Sequence, residues 1–441
     1  MNAEGESKLQ GVTTASANPV QDVPAQAQGQ GPMAALAHRA RLAARTLAQS
    51  SSATRDKALW AAAAALREAT PAILEANVQD LAASTANDAF RDRLTLTPER
   101  VEAMARGLEE IADLPDPVGR VLEEWTRPNG LRIRRVATPV GVIGMIYESR
   151  PNVGADAAGL CIKSGNAVLL RGGSESLNSA RAIHAAMQAG LRSAGLPEDA
   201  VLIAPDANRA HVAEMLTASG LIDLIIPRGG RSLVERVQRE ARVPVLAHAE
   251  GLCHTYIHSA ADFAMARRIV LNAKMRRPGI CGSTETLLMD AAIASALLPQ
   301  IVADLAEKGC TFKADAAARA IVPDLPAATQ KDFATEWLDA VLNIAVVDGV
   351  DEALDHIAQY GSSHTEAIVT ADENMAIRFM NGVSSAVVMW NASTQFCDGG
   401  EFGFGAEIGI ATGRFHARGP VGVEQLTTFR YEVIGTGQVR P

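Results

Sequence analysis

Apolar residues between Met33 and about Leu114 recur at helical spacing, with an alanine run at 61–65 and with Ser52, Thr70 and Thr97 placed where helices start. Pro115 and Pro117 close this block, since proline cannot continue a helical hydrogen-bond ladder. Arg132 to Val136 alternates as a strand does. From Pro139 the pattern changes to short apolar runs, VGVIGMIY (140–147), AVLLRG (167–172), LIIP (224–227) and PVLAH (244–248), separated by helix-length segments. Strands alternating with helices in this way predict a parallel α/β sheet, whose ligands bind at the carboxyl ends of its strands. A second α/β block is expected beyond it: helix 262–275, strand 284–289, helices to about 320, and strands at 342–347, 367–369 and 386–389. The last stretch, Gly422 to Val439, alternates weakly through Thr427, Phe429, Tyr431 and Val433. It reads as an edge strand open to Arg132–Val136 or to a second subunit.

Composition narrows the class. A chain of 441 residues is expected to hold two or three domains, and 48% apolar with 21% charged residues is the balance of a soluble globular enzyme. No apolar run reaches the length that spans a bilayer. A net charge of −9 argues against a nucleic-acid partner. Residues 1–30, rich in Ala, Gln, Gly and Ser, read as a disordered extension without the features of a secretory or transit peptide. The five cysteines, Cys161, Cys253, Cys281, Cys310 and Cys397, form no CxxC pair and no metal-type spacing, so reduced thiols in a cytoplasmic protein and no metal site are expected.

The stretch NAKMRRPGICGSTETLL (272–288) carries the most chemistry. Phe263, Ala266, Ile269, Val270 and Ala273 give its preceding helix an apolar face, with Arg267, Arg268 and Lys274 on the other side, and Pro278 and Gly279 end that helix. Cys281 then sits at a helix-to-strand junction among Gly279, Gly282 and Ser283. Arg276 and Arg277 are expected to lower the thiol pKa and raise its nucleophilic thiolate fraction. The competing reading is a buried structural cysteine. Arg171, Gly172 and Ser174 follow the second apolar run, and a helix capped by Ser174 beside Arg171 would suit a nucleotide phosphate, including the extra phosphate of NADP. A capped helix next to a surface arginine explains the same residues. No GxGxxG follows a strand of the right kind; the cluster at 399–409 comes late in the chain, so any nicotinamide cofactor is held in another way. Arg228, Gly229 and Gly230 after LIIP would allow a close backbone approach, or form a plain turn. Cys253 and His254 adjoin on an expected strand and point to opposite faces, so Cys253 is expected to pack in the core.

Four segments carry a resemblance: PVGVIGMIYESRPNVGADAAGLCIKSGNAVLLRGG (139–173), the cysteine turn, YGSSHTEAIVT (360–370) and NASTQFCDGGEFGFGAEIGIATGRFHARGPVGVEQLTT (391–428). In order, over about 33–438, they resemble the gamma-glutamyl phosphate reductases of the aldehyde dehydrogenase superfamily. The resemblance implies an aldehyde dehydrogenase-like α/β fold with a nucleotide-binding domain (31–250, including strand 131–136 of an oligomerisation extension), a catalytic domain (251–415) and a C-terminal oligomerisation region (416–441). It implies NADPH-dependent reduction of L-glutamyl 5-phosphate to glutamate 5-semialdehyde through a cysteine thioester, the second step of proline synthesis. Cys281 maps to the nucleophile and Asn152 to the oxyanion donor, with the Cys281 backbone N–H as the second; a turn residue after Pro151 is the competing account of Asn152. Glu336 maps to a contact with the nicotinamide ribose, with a helix-surface glutamate as the competing account. Arg277, His364, Ser393, Thr394 and Arg418 are candidates for the substrate's anionic groups, with a structural role for His364 as the competing account. Glu250 lies near the water-activating glutamate of hydrolytic relatives, but the surrounding motif differs and this role is not expected. A dimer or tetramer and a transient contact with glutamate 5-kinase are the expected partners. A hydrolytic or coenzyme-A-acylating dehydrogenase on the same scaffold is the nearest alternative, separated by its indifference to inorganic phosphate; a nucleotide-binding protein without catalysis is the more distant one.

Overall fold

The computed structural model describes residues 31–84, 88–148, 150–247 and 250–440; the expected extension 1–30 lies outside the described residues. The helical block comprises Pro32–Gln49, Ser52–Glu68, Thr70–Ala83, Asp88–Leu94 and Pro98–Asp113. Ser51 and Thr97 cap two of these helices, their hydroxyls accepting the Thr54 and Arg100 N–H groups.

A four-stranded sheet runs in the order Val201–Ile203, Ala167–Arg171, Val142–Tyr147, Leu224–Arg228, all parallel. Ile143, Met145 and Tyr147 face one core and Val142 and Ile146 the other. Both faces are covered, which is why the strands are apolar without alternation. Among its described residues, the run beginning at Pro244 adds no strand. Val245 makes one isolated bridge to Ile225, and Pro244 has no N–H to extend a ladder.

The second sheet has six parallel strands in the order Val387–Trp390, Thr365–Val369, Cys253–Ile257, Thr284–Asp290, Val341–Val347, Thr311–Ala314. A third, antiparallel sheet joins Val121–Thr126, Arg132–Pro139 and Thr427–Ile434. Here the C-terminal strand pairs within its own chain along its whole length, from Thr427 opposite Pro139 to Ile434 opposite Arg132. Trp125 and Phe429 meet the ring of Tyr431 edge-on, while Phe429, Tyr431 and Val433 stay exposed. Between the second sheet and this ribbon the chain returns to the first core, contributing Ile408, Ala411, Ala417, Val421, Val423 and Leu426. Packing therefore does not divide the chain at 415. No helix among the described residues is long and apolar enough to cross a membrane.

Candidate active site

Strand ends of opposite sense supply the site. Tyr147, Arg171 and Arg228 close strands of the first sheet, whereas Cys253, Thr284 and Thr365 open strands of the second. Cys281 lies in the turn between helix Phe263–Met275 and strand Thr284–Asp290, at the amino end of its strand.

That turn is held from several directions. The Cys253 thiol donates to the Cys281 carbonyl (3.1 Å). Gly251 lies so close beneath it that a Cβ there would fall 2.1 Å from the same carbonyl oxygen, so the contact admits only glycine. Glu336 Oε1 in turn accepts the Gly251 N–H (2.8 Å). Gln395 donates to the carbonyls of Ala273 and Arg277 (3.0 and 3.3 Å). Lys274, expected on the solvent side of its helix, is instead fully buried against Glu285 (2.9 Å). Burial pushes the Glu285 carboxyl up to about 7, with Lys274 opposing the shift.

The electrostatics differ from the expectation drawn from neighbouring arginines. Burial pushes the half-buried Cys281 thiol up to about 11; Arg228 pulls it down, and Glu407 and Glu336 push it up. Arg276 and Arg277 are exposed, and Arg276 turns to Gln395 (3.4 Å). The cation that faces the sulfur comes from the end of a strand in the other sheet, and desolvation outweighs it. Arg228 packs over Gly409, where a Cβ would sit 3.6 Å from Nη1. Arg150 shares this neighbourhood: burial, then the like charges of Arg228, Arg93 and Arg277, hold its guanidinium below the ordinary value. Among the described residues no carboxylate makes a direct salt bridge to Arg150, Arg228 or Arg277, although Glu407 and Asp156 both feel the Arg228 charge. Glu407, raised by burial, is held on the Gly399 N–H (2.9 Å).

Asn152 precedes helix Val153–Lys163, and its Nδ2 donates to Asp156 Oδ2 (3.1 Å). Arg228 also faces Asp156, which links Asn152 to the cysteine's surroundings. Spacing could have revealed Asp156, because positions four apart share a helix face.

The expected cofactor contacts are partly taken by the protein itself. Ser174 is exposed and caps nothing; the following helix, Leu177–Ser193, is met at its first turn by Asp80, which accepts from the Asn178 and Ser179 N–H groups (3.2 and 2.8 Å). Arg171 donates to the carbonyls of Gly172 and Ala207, while its buried Nε has no partner among the described residues. Gly172 lies against the Tyr147 ring, where a Cβ would be 3.0 Å away. The group that approaches Gly229 and Gly230 is Glu148, whose Oε2 accepts the Gly230 N–H (2.9 Å).

Several expected substrate contacts are interior. His364 is fully buried, its Nδ1 2.9 Å from Thr365 Oγ1 and 3.5 Å from Cys253 Sγ. Thr394 is fully buried with its hydroxyl on Thr284 (3.0 Å), and Ser393 accepts the Gln395 N–H (3.3 Å). These side chains brace the cysteine turn and are closed to a ligand. Arg418 donates to the Ser384 carbonyl. Glu250 pairs with Arg231 (2.9 Å), and Cys253 packs in the core as expected. No group of three or more His, Cys, Asp or Glu among the described residues is arranged to hold a metal ion.

A family model described as the aldehyde dehydrogenase family matches residues 2–319. A gamma-glutamyl phosphate reductase of Gluconobacter oxydans is 74% identical over 92% of this chain and 95% of its own length. That of Acidiphilium cryptum is 69% identical over 92% and 96%. The crystal structure of the Thermotoga maritima gamma-glutamyl phosphate reductase superposes with a TM-score of 0.91 at 42% identity, covering 93% of this chain and 100% of that one. An engineered glycolyl-CoA reductase with bound NADP+ shares the fold at a TM-score of 0.64 and 15% identity, covering 91% and 96%.

Proposed function

The chain belongs to the aldehyde dehydrogenase family, as an oxidoreductase in the line of the gamma-glutamyl phosphate reductases, and we propose that it reduces L-glutamyl 5-phosphate to L-glutamate 5-semialdehyde and phosphate with NADPH. This is the second step of proline biosynthesis from glutamate. The carrying observation is the half-buried Cys281 thiol under the charge of Arg228, with Arg150 and Arg277 nearby and neither of these two in a salt bridge among the described residues. A substrate with a phosphoryl group and a carboxylate supplies the missing anions. Arg277, with Arg150 and Arg228, takes that part in preference to the buried His364, Ser393 and Thr394.

The acyl phosphate is already activated, so the protein supplies a nucleophile and stabilises the oxyanion. A thiol raised by burial must lose its proton as it attacks, and Glu407, whose charge acts on the sulfur, is our candidate base. The Cys281 sulfur bonds to the acyl carbon, the carbon–oxygen bond to phosphate breaks, and a thioester remains. The Asn152 amide and the Cys281 N–H stabilise the developing oxyanion, a donor of this kind being worth about 3 kcal/mol.

We place the cofactor at the strand ends of the first sheet. Arg171, near Glu175 and Asp206 as well as Arg209 and Arg236, keeps an unpartnered buried Nε and would hold a nucleotide phosphate, beside Gly172, Ser174, Arg228, Gly229 and Gly230, from whose N–H Glu148 would have to withdraw. Glu336 keeps its second carboxyl oxygen for the ribose. The nicotinamide, when bound, supplies the hydride that converts the thioester to the aldehyde. The exposed aromatic strip of the antiparallel ribbon supports assembly as a dimer or tetramer.

The deciding experiment is NADP reduction by glutamate semialdehyde with and without inorganic phosphate, run beside Cys281→Ala. Strict phosphate dependence and a silent variant are expected. Oxidation that proceeds to glutamate without phosphate, or that needs coenzyme A, would overturn the assignment.

A further inference from the structure

Asn152 can serve an oxyanion only if its amide is the right way round, because Nδ2 donates while Oδ1 accepts and the two ends have nearly the same shape. The structure contains a device that chooses. Asp156, one turn along the same helix, places Oδ2 3.1 Å from Asn152 Nδ2. An ionised carboxylate only accepts, so the reversed amide would set two acceptors against each other. Since Nδ2 carries two hydrogens, giving one to Asp156 leaves the other for a ligand. Among the described residues neither side chain has another hydrogen-bond partner, so each depends on the other.

Building on the assignment of Asn152 as oxyanion donor, we propose that Asp156 is a positioning residue: its carboxylate fixes the Asn152 amide in the donating orientation, and does so only while ionised. Burial pushes the Asp156 carboxyl up to about 6, with the Asn152 hydrogen bond and the facing Arg228 guanidinium opposing the shift. Above that pH the carboxylate accepts. Below it the neutral acid can donate to Oδ1, and an amide turned over presents an acceptor where the donor stood. Turnover therefore falls as pH drops through about 6. Beyond Arg228 lie Cys281, Glu407 and Glu336, and the two glutamates are also raised by burial. The acid limb is accordingly read as a difference between wild type and variant.

The test follows phosphate-dependent NADP reduction against pH in wild type, Asp156→Asn, Asp156→Ala, Asn152→Ala and the Asn152→Ala/Asp156→Ala double variant. Asn152→Ala should lower kcat about 10²-fold. Asp156→Ala should lower it about tenfold alone and no further in the Asn152→Ala background, with KM little changed, because residues acting as one unit are not additive. Asp156→Asn, which still offers an acceptor, should retain more activity and lose the limb near pH 6 while melting as wild type does. An equal loss from Asp156→Ala in both backgrounds, or an unchanged limb in Asp156→Asn, overturns the proposal. Near-normal turnover by Asn152→Ala removes the oxyanion assignment itself, and this inference with it. Should Asp156→Ala fail to fold, the limb of Asp156→Asn decides.

Discussion

The two parallel sheets that meet around Cys281 are built on opposite terms. On the second-sheet side polar groups near the cysteine turn are engaged: the Cys281 carbonyl by Cys253, the Gly251 N–H by Glu336, and Lys274 by Glu285. On the first-sheet side charge is left over, with Arg228 facing the sulfur and Arg150 beside it. One side fixes where the Cys281 sulfur is, and the other biases how readily it ionises. The division explains how a thiol can be held firmly yet stay mostly protonated.

Cys281→Ser tests the fixed side most severely. It should cut phosphate-dependent kcat by about 10³-fold or more, because a hydroxyl is a far weaker nucleophile in the same place, with the melting curve unchanged. Lys274→Met leaves Glu285 buried without its cation and should cost about 3–5 kcal/mol in urea unfolding; unaltered stability would break the view of that side as a brace. The charged side is probed by alkylation of the empty enzyme with iodoacetamide. With the thiol near 11, the rate for Cys281 should climb about tenfold per pH unit from 7 to 10, since only the thiolate reacts. Removing the cation raises the thiol further, so Arg228→Met should slow alkylation at pH 8 about tenfold. A plateau by pH 8 in wild type would show a thiol already ionised and would erase the contrast. The smallest effect is expected from Glu336→Gln. Its amide oxygen can still accept from Gly251, so kcat should change only a few-fold, and the thiol should titrate slightly lower once a neighbouring negative charge is gone.

The contrast also marks what could be read in the chain. Strands 142–147, 167–171 and 224–228 announced themselves because burial on both faces demands unbroken apolar runs. Strands 121–126, 201–203 and 311–314 did not, being either too short or, as in VLEEWT, too polar for their period to show. Cys281 was visible from its small neighbours. Its electrostatic partner was not, since Arg276 and Arg277 lie near in sequence while Arg228 is brought in by a different sheet. Lys274 looked like a surface residue until its partner Glu285 was seen across the turn, and helical spacing alone does not report a buried ion pair.

The antiparallel ribbon has a consequence for how the chain is made. Strand 132–139 emerges from the ribosome well before its outer partner, 427–434, which lies roughly 290 positions later in the chain. Until then one row of its backbone groups has no mate, the arrangement most prone to pairing with a stranger. Loss of strand 427–434 would make that transient hazard permanent, so chains cut short before residue 427 should aggregate although both parallel sheets are complete.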